Sequence, residues 1–71
     1  MPDSVYKVVE LVGSSPESWE KAAQAAIAEA GKSLRDLRIA QVVDMDTHIE
    51  DGKIAAYRTR LKVSFKVHRG D

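Results

Sequence analysis

Residues 5–20 constrain the fold most, because they read as a strand, a tight turn and a helix start in immediate succession. Residues 6–12 are mostly β-branched or aromatic, which is typical of a strand covered on much of both faces. Gly13 then marks a turn. Ser15 reads as the helix N-cap and Pro16 as the first helical residue, where the missing proline N–H costs nothing. We therefore expect a strand followed at once by a helix.

The predicted helix extends from Pro16 to about Ser33. Its apolar residues recur with the i, i+3, i+4, i+7 spacing of a single buried stripe. The members of the stripe are Trp19, Ala22, Ala23, Ala26, Ile27 and Ala30. Because most of these side chains are small, the helix can lie close to a sheet.

Two further strands are predicted at residues 38–49 and 53–67. Asp51-Gly52 lies between them and indicates a hairpin, since both residues tolerate the positive φ of a primed turn. Alternation in the last strand separates an apolar face from a basic face. The apolar face comprises Tyr57, Thr59, Leu61, Val63, Phe65 and Val67, and the other face comprises Arg58, Arg60, Lys62, Ser64 and Lys66. The sequence therefore predicts one α+β domain over residues 1–71, a βαββ unit with a three-stranded antiparallel sheet packed on one helix.

The small size of this unit favours self-association. A chain of 71 residues buries only roughly 60% of the surface that its unfolded form exposes. The sequence contains no cysteine, so disulfides cannot compensate, and assembly or a metal ion remains. One helix also leaves the second face of the sheet uncovered. We expect neighbouring copies of the chain to bury that face.

Composition excludes several classes of partner and activity. Eleven basic and eleven acidic residues balance, which argues against the clustered positive charge of a nucleic-acid-binding protein. No apolar stretch approaches the length of a membrane span, and there is no secretory signal pattern, so we expect a soluble cytoplasmic protein. No acid, base and nucleophile occur in a catalytic spacing, which argues against an enzyme.

Four segments together resemble the dodecins. They are Val-Tyr-Lys-Val-Val-Glu-Leu-Val-Gly-Ser-Ser-Pro-Glu-Ser-Trp at 5–19, Leu-Arg-Asp-Leu-Arg at 34–38, His-Ile-Glu-Asp-Gly at 48–52 and Leu-Lys-Val-Ser-Phe at 61–65. Each is weak alone, but the set spans nearly the whole chain. The resemblance implies a βαββ subunit of a hollow dodecamer that binds small ligands, most often flavins, without catalysing a reaction.

The flavin positions of that family are replaced here. Ile39 stands where flavin-binding dodecins usually carry the tryptophan that stacks on the isoalloxazine ring, and an aliphatic side chain offers no flat π surface. Arg58 replaces the glutamine that reads the polar edge of the flavin, and a guanidinium donates but cannot accept hydrogen bonds. Asp46 and Ser64 replace a frequent arginine and a usual glycine. This pattern resembles the calcium dodecin branch, which lacks the stacking tryptophan, and if Asp46 and Arg58 pair they would fill the former flavin zone.

Acidic residues near the hairpin form the candidate metal site. The set comprises Asp44, Asp46, Glu50 and Asp51. Calcium takes six to eight oxygen ligands, largely carboxylates and carbonyls, so calcium or another divalent cation is the favoured ligand. The alternative is that these acids are simply solvated; in a dodecamer, acids from several chains could instead converge at a symmetry axis.

The basic face of the last strand allows two interpretations. It could bind phosphate or a nucleotide-like anion, or it could pair with Asp44, Asp46 or Glu10, and we favour the pairing. His48 and His68 are too few and too far apart for a metal site and are expected to be exposed. The leading hypothesis is a dodecameric binding or storage protein for a small ligand or metal ion. The alternatives are a flavin or coenzyme-A carrier and a structural assembly without a specific ligand.

Overall fold

The computed structural model describes residues 3–67 and confirms the βαββ order. Strand β1 comprises Tyr6–Ser15, helix α1 comprises Trp19–Ala30, strand β2 comprises Leu37–Glu50 and strand β3 comprises Lys53–Lys66. The predicted strands agree with these bounds to within a few residues. Within residues 3–67, no helix is long and apolar enough to cross a membrane.

The three strands form one antiparallel sheet in the order β1-β3-β2. Strand β3 therefore lies in the centre, and β2 is an edge strand. The described chain is elongated, measuring 54 × 20 × 13 Å along its principal axes. Helix α1 packs against β1 and β3, which places it toward one side of the sheet.

The predicted helix start is wrong by one turn. Ser15 is not the N-cap and Pro16 is not helical, because β1 continues through Ser15, which pairs with Tyr57 of β3. The hydroxyl of Ser15 instead accepts a turn hydrogen bond from the Glu17 N–H at 3.0 Å. Ser18 is the N-cap, and its hydroxyl accepts a hydrogen bond from the Lys21 N–H at 3.0 Å.

The helix end also differs from the prediction. Helix α1 ends at Ala30 rather than near Ser33, with Gly31 as the C-cap. The next residues form turns, in which the backbone N–H groups of Ser33 and Leu34 both donate to the Ala30 carbonyl. A local turn thus continues past the helix without extending it.

The core lies between the small face of α1 and the centre of the sheet. Ala22, Ala26 and Ala30 are buried on the helix, and Leu61 and Val63 are each only 1% exposed on β3. The predicted stripe is confirmed for these alanines. It is wrong for Trp19, which is 39% exposed, and the predicted core face of β3 is wrong at Val67, which is exposed as well.

Gly13 allows the close approach of helix and strand. A Cβ atom at Gly13 would collide with the carbonyl oxygen of Ala22 and lie 3.1 Å from Cβ of Ala26. Gly13 is buried, and it pairs with Thr59, which is 1% exposed. The glycine and the facing alanines therefore form one tightly packed layer.

The hairpin between β2 and β3 follows the sequence prediction. Asp51 and Gly52 have φ values of 51° and 74°, as a primed two-residue turn requires. The β2–β3 register shifts between Leu37 and Ile39, between Val42 and Asp44, and between His48 and Ile49. The shift at Val43 changes which side chains of β2 share a face of the sheet.

Helix α1 leaves large apolar side chains of the edge strand in contact with solvent. Val42, Met45 and Ile49 of β2 are 50%, 58% and 61% exposed. On the opposite face of the sheet, Val8 of β1 and Ile39 of β2 are 60% and 65% exposed. A single chain therefore leaves apolar surface uncovered on both sides of its sheet, which is unusual for a monomer.

Candidate ligand site

The face of the sheet turned away from α1 carries all three residues predicted for the ligand zone. We call this surface the helix-free face. It comprises Tyr6, Val8, Glu10, Val12 and Ser14 of β1, Arg58, Arg60, Lys62, Ser64 and Lys66 of β3, and Ile39, Gln41, Asp44, Asp46 and His48 of β2. Its members are the partners of one another in the β-sheet register, except that His48 pairs with Ala56, while Thr59, Leu61 and Val63 point to the helix.

A β-bulge brings Ile39 and Asp46 to the same face. Strict alternation over seven positions would place them on opposite faces of β2. The extra residue at Val43 restores the phase, so that Ile39 lies opposite Ser64 and Asp46 lies opposite Arg58. The sequence pattern did not indicate this bulge.

Asp46 and Arg58 form a bidentate ion pair. The Nε of Arg58 donates to Oδ1 of Asp46 at 2.7 Å, and a terminal guanidinium nitrogen donates to Oδ2 at 2.8 Å. These hydrogen bonds hold the pKa of the Asp46 carboxyl below its ordinary value, with the positive charges of Arg58 and Arg60 acting in the same direction and desolvation opposing them. The same hydrogen bonds raise the pKa of Arg58. Both oxygens of Asp46 are thus committed to the neighbouring strand.

A second, looser ion pair lies beside the first. The Nε of Arg60 is 3.8 Å from Oδ2 of Asp44, and these residues are also direct partners in the register. The expected pairing of basic β3 residues with Asp44 and Asp46 is therefore confirmed. The two aspartates and two arginines occupy successive paired positions on the helix-free face, and their formal charges cancel.

Trp19 connects the helix start to the same region of β2, which the sequence interpretation missed. Its Nε1–H donates to the backbone carbonyl of Asp46 at 3.0 Å. Its ring meets Tyr57 edge to face, with the ring centroids 4.8 Å apart, and its carbonyl accepts a hydrogen bond from the Thr59 hydroxyl at 2.9 Å. The sequence interpretation assigned Trp19 to the buried stripe and so missed this role. The available signal was the indole itself, which combines a large apolar ring with an N–H donor at the helix start.

The four acids predicted to bind a metal do not form one cluster in a single chain. Asp44 and Asp46 face arginines, Glu50 lies 3.2 Å from Nε2 of His48, and Asp51 lies in the hairpin turn. No group of three or more potential metal ligands occurs within residues 3–67. The acids of one copy therefore do not fit calcium, which needs six to eight oxygens around it.

Of the predictions for the two histidines, only the one for His48 can be compared with the structure. His48 is exposed, as expected, and its ring nitrogen contacts Glu50. The expectation for His68 lies outside the described residues.

The remaining substitution in the ligand zone, Ser64, lies next to Ile39. Its hydroxyl is 3.5 Å from the carbonyl oxygen of Ile39, within reach of a weak hydrogen bond. Ile39 itself is exposed and presents an aliphatic side chain on this face.

A separate cleft of about 370 Å³ lies near the end of the sheet where the loop after α1 begins. It is open to solvent and lined by Lys7, Leu34, Phe65 and neighbouring residues. None of the predicted ligand or metal residues lines this cleft.

The fold and the site together define a class of small βαββ chains with one covering helix and a charged, uncovered sheet face. This chain belongs to the dodecin family, whose family model matches residues 5–68. It is 44% identical over 64 residues to the calcium dodecin of Mycobacterium tuberculosis, covering 90% of each chain.

Two solved structures give the same result at the level of the fold. The dodecin of Streptomyces coelicolor superimposes with a TM-score of 0.93 and 33% identity, covering 99% of this chain and 100% of the other. The calcium dodecin of M. tuberculosis, described as calcium-chelating with a novel calcium-binding site, superimposes with a TM-score of 0.84 and 41% identity. That alignment covers 96% of this chain and 97% of the other.

Proposed function

We propose that this protein is a dodecameric, non-catalytic binding or storage protein whose ligand is a metal cation, with calcium favoured over flavin. The observation that carries the rejection of flavin is the bidentate pair of Asp46 and Arg58 on the helix-free face. It occupies the polar positions that resemble the flavin site, and Ile39 removes the stacking surface. Similarity to a calcium dodecin supports calcium as the alternative ligand.

Assembly is part of the proposal because one chain leaves too much apolar surface exposed. Val42, Met45 and Ile49 lie on the edge strand β2 beyond the cover of the helix. Burial of such side chains contributes roughly 25 cal/mol per Å² of apolar surface, so their association with another copy stabilises a chain with a very small core. Membership in the dodecin family supports the number of twelve copies.

The cation would be bound between copies rather than within one. A single chain offers calcium no group of three ligands within residues 3–67. In a closed symmetric assembly, one or two acids from each copy can meet around an axis and supply the missing oxygens. Glu50 and Asp51, at the tip of the hairpin, are the acids of the predicted set that face no arginine in the described structure.

The direct test is calcium titration of metal-stripped protein by isothermal calorimetry, with the assembly state measured in parallel by sedimentation velocity. We expect a twelve-subunit species and saturable heat, with calcium also raising the melting temperature. No heat together with no thermal shift would refute the cation. A stable folded monomer at micromolar concentration would refute the assembly.

Flavin and coenzyme A are the competitors in the same experiment. Quenching of riboflavin fluorescence on mixing, or yellow protein after purification, would restore the flavin carrier as the function. A melting temperature unchanged across calcium, riboflavin and coenzyme A would instead indicate a structural assembly without a specific ligand.

A further inference from the structure

We propose that Arg58 disfavours metal binding on the helix-free face: it acts as a built-in cation that weakens Asp46 as a metal ligand. The inference rests on the proposed function, because it concerns which acids can take part in cation binding. It assigns a role that membership in the family does not.

The geometry of the pair carries the inference. Each carboxylate oxygen of Asp46 accepts one hydrogen bond from the guanidinium of Arg58, at 2.7 and 2.8 Å. A bidentate fork of this kind directs both oxygens toward β3 and matches the planar shape of the carboxylate. A metal ion would have to approach those oxygens on the side away from the guanidinium, using the lone pairs that Arg58 leaves open, and against the positive charge that Arg58 holds beside them.

The backbone holds the two partners in this arrangement. Asp46 and Arg58 are direct partners in the β2–β3 register. The carbonyl of Asp46 is also fixed by the indole N–H of Trp19 at 3.0 Å. The backbones of both partners are thus held opposite each other, and the pair separates most readily by rotation of a side chain.

The neighbouring pair strengthens the effect. Arg60 faces Asp44 with its Nε 3.8 Å from Oδ2, so a dication approaching either aspartate meets two fixed positive charges. Like charges a few ångströms apart repel even in a largely aqueous setting. The four side chains form a neutral patch in which the arginines already supply the charge that a metal would bring.

Arg58→Gln tests this role, because the amide keeps polarity and much of the length but removes the charge and the fork. Arg38→Gln is the matched control: the Arg38 side chain is 48% exposed against 45% for Arg58, and it lies 3.9 Å from a different aspartate, Asp36. Asp46→Asn supplies the converse test.

Calcium affinity is measured by calorimetry on metal-stripped, assembled protein. Terbium(III), which also prefers oxygen ligands, reports binding near Asp46 through its luminescence. Trp19 can sensitise this luminescence, because it is the chain's single tryptophan and is hydrogen-bonded to Asp46. A terbium ion on Asp46 would be sensitised by excitation of that indole.

We expect R58Q to bind calcium about two- to fivefold more tightly than the unsubstituted protein, because the charge-assisted pair that is lost is largely exposed and therefore a weak competitor. Its tryptophan-sensitised terbium luminescence should rise as well. R38Q and D46N should both match the unsubstituted protein. Equal calcium affinity and terbium luminescence in R58Q and the unsubstituted protein would overturn the inference, and so would a loss of calcium affinity in D46N.

If R58Q does not assemble, Arg58→Lys replaces it, since a lysine ammonium keeps the charge but cannot bridge both oxygens in a planar fork. A smaller gain in the same direction is then expected, and no gain counts against the role of the fork.

The outcomes also separate this inference from the proposed function. If the unsubstituted protein binds no calcium but R58Q does, the proposed function fails and the role of Arg58 stands. If the unsubstituted protein binds calcium and D46N abolishes it, the function stands and the role of Arg58 is refuted.

Discussion

Substitution of Gly13 by alanine should destabilise the protein severely, because this position is where α1 and β1 approach most closely. The new Cβ atom would lie 2.8 Å from the carbonyl carbon of Ala22, nearer still to its oxygen, and 3.1 Å from Cβ of Ala26. Ordinary contacts between carbon atoms lie at about 3.5 to 4.0 Å, so the helix backbone would have to move by about 1 Å. No flexible side chain is available to move instead.

The cost follows from the packing that this movement would loosen. A radial gap of 0.5 to 1 Å already forfeits about a quarter to a half of each dispersion contact across it. Ala22, Ala26 and Ala30 would all retreat from the sheet, and Leu61 and Val63 would lose part of their cover. Overpacking in a core typically costs about 1 to 3 kcal/mol, and the rigid backbone obstacle places G13A at about 3 kcal/mol or above.

Urea unfolding at one fixed protein concentration measures this effect, because the stability of an oligomer depends on concentration. Gly31→Ala is the matched control: its Cβ would meet carbonyl oxygens at 3.4 and 3.6 Å, and its backbone is already in the right-handed helical region. We expect G31A to be neutral or stabilising by about 0.4 to 1 kcal/mol. A G13A protein within about 0.5 kcal/mol of the unsubstituted one would refute the close-packing explanation.

Three further predictions concern the helix cap, the core and the ion pair. Ser18→Ala should lower the free energy of unfolding by about 1 kcal/mol in urea, and no change would show that the cap is dispensable. Leu61→Asp places a charge at a position that is 1% exposed, and the cost of burying it unpaired, about several kcal/mol, should abolish folding or assembly. A soluble dodecamer in sedimentation would contradict the placement of Leu61 in the core. The ionised Asp46 carboxylate should stabilise the fold fully above its ordinary pKa of 3.8, and this stabilisation should be lost as the pH falls through the lowered pKa of the folded state. NMR titration of the Asp46 carboxyl group should show a higher pKa in R58Q than in the unsubstituted protein. An unchanged pKa would exclude Arg58 as the cause of the lowering.

Local chemistry explains why most of the fold could be predicted. The hairpin depends on two residues that tolerate positive φ, and Asp51 and Gly52 adopt it. The local pattern predicts Ser15 as the helix N-cap, and this prediction is wrong. The pairing of Ser15 with Tyr57 extends β1 and leaves Ser18 as the N-cap, and such a long-range contact cannot be inferred from residues 5–20 alone.

In the candidate site, too, the local features could be predicted and the long-range contacts could not. Resemblance to a family singled out Ile39, Asp46 and Arg58, and the structure places all three on the helix-free face. The sequence did not indicate the bulge at Val43, because β2 carries apolar side chains on both faces and a single inserted residue is hard to recognise in such a pattern. It also grouped four acids by proximity in the chain, whereas the sheet directs two toward arginines and two toward the hairpin tip.

By itself the sequence determined the order of elements, the hairpin and the small face of the helix. These depend on local propensity and on residue type. Only the tertiary structure decided that Trp19 hydrogen-bonds to the backbone of β2, that the bulge at Val43 turns Asp46 toward Arg58, and that each oxygen of Asp46 accepts a hydrogen bond from Arg58. The reason is that each depends on the register of strands distant in the chain, which is set by the packing of the whole sheet.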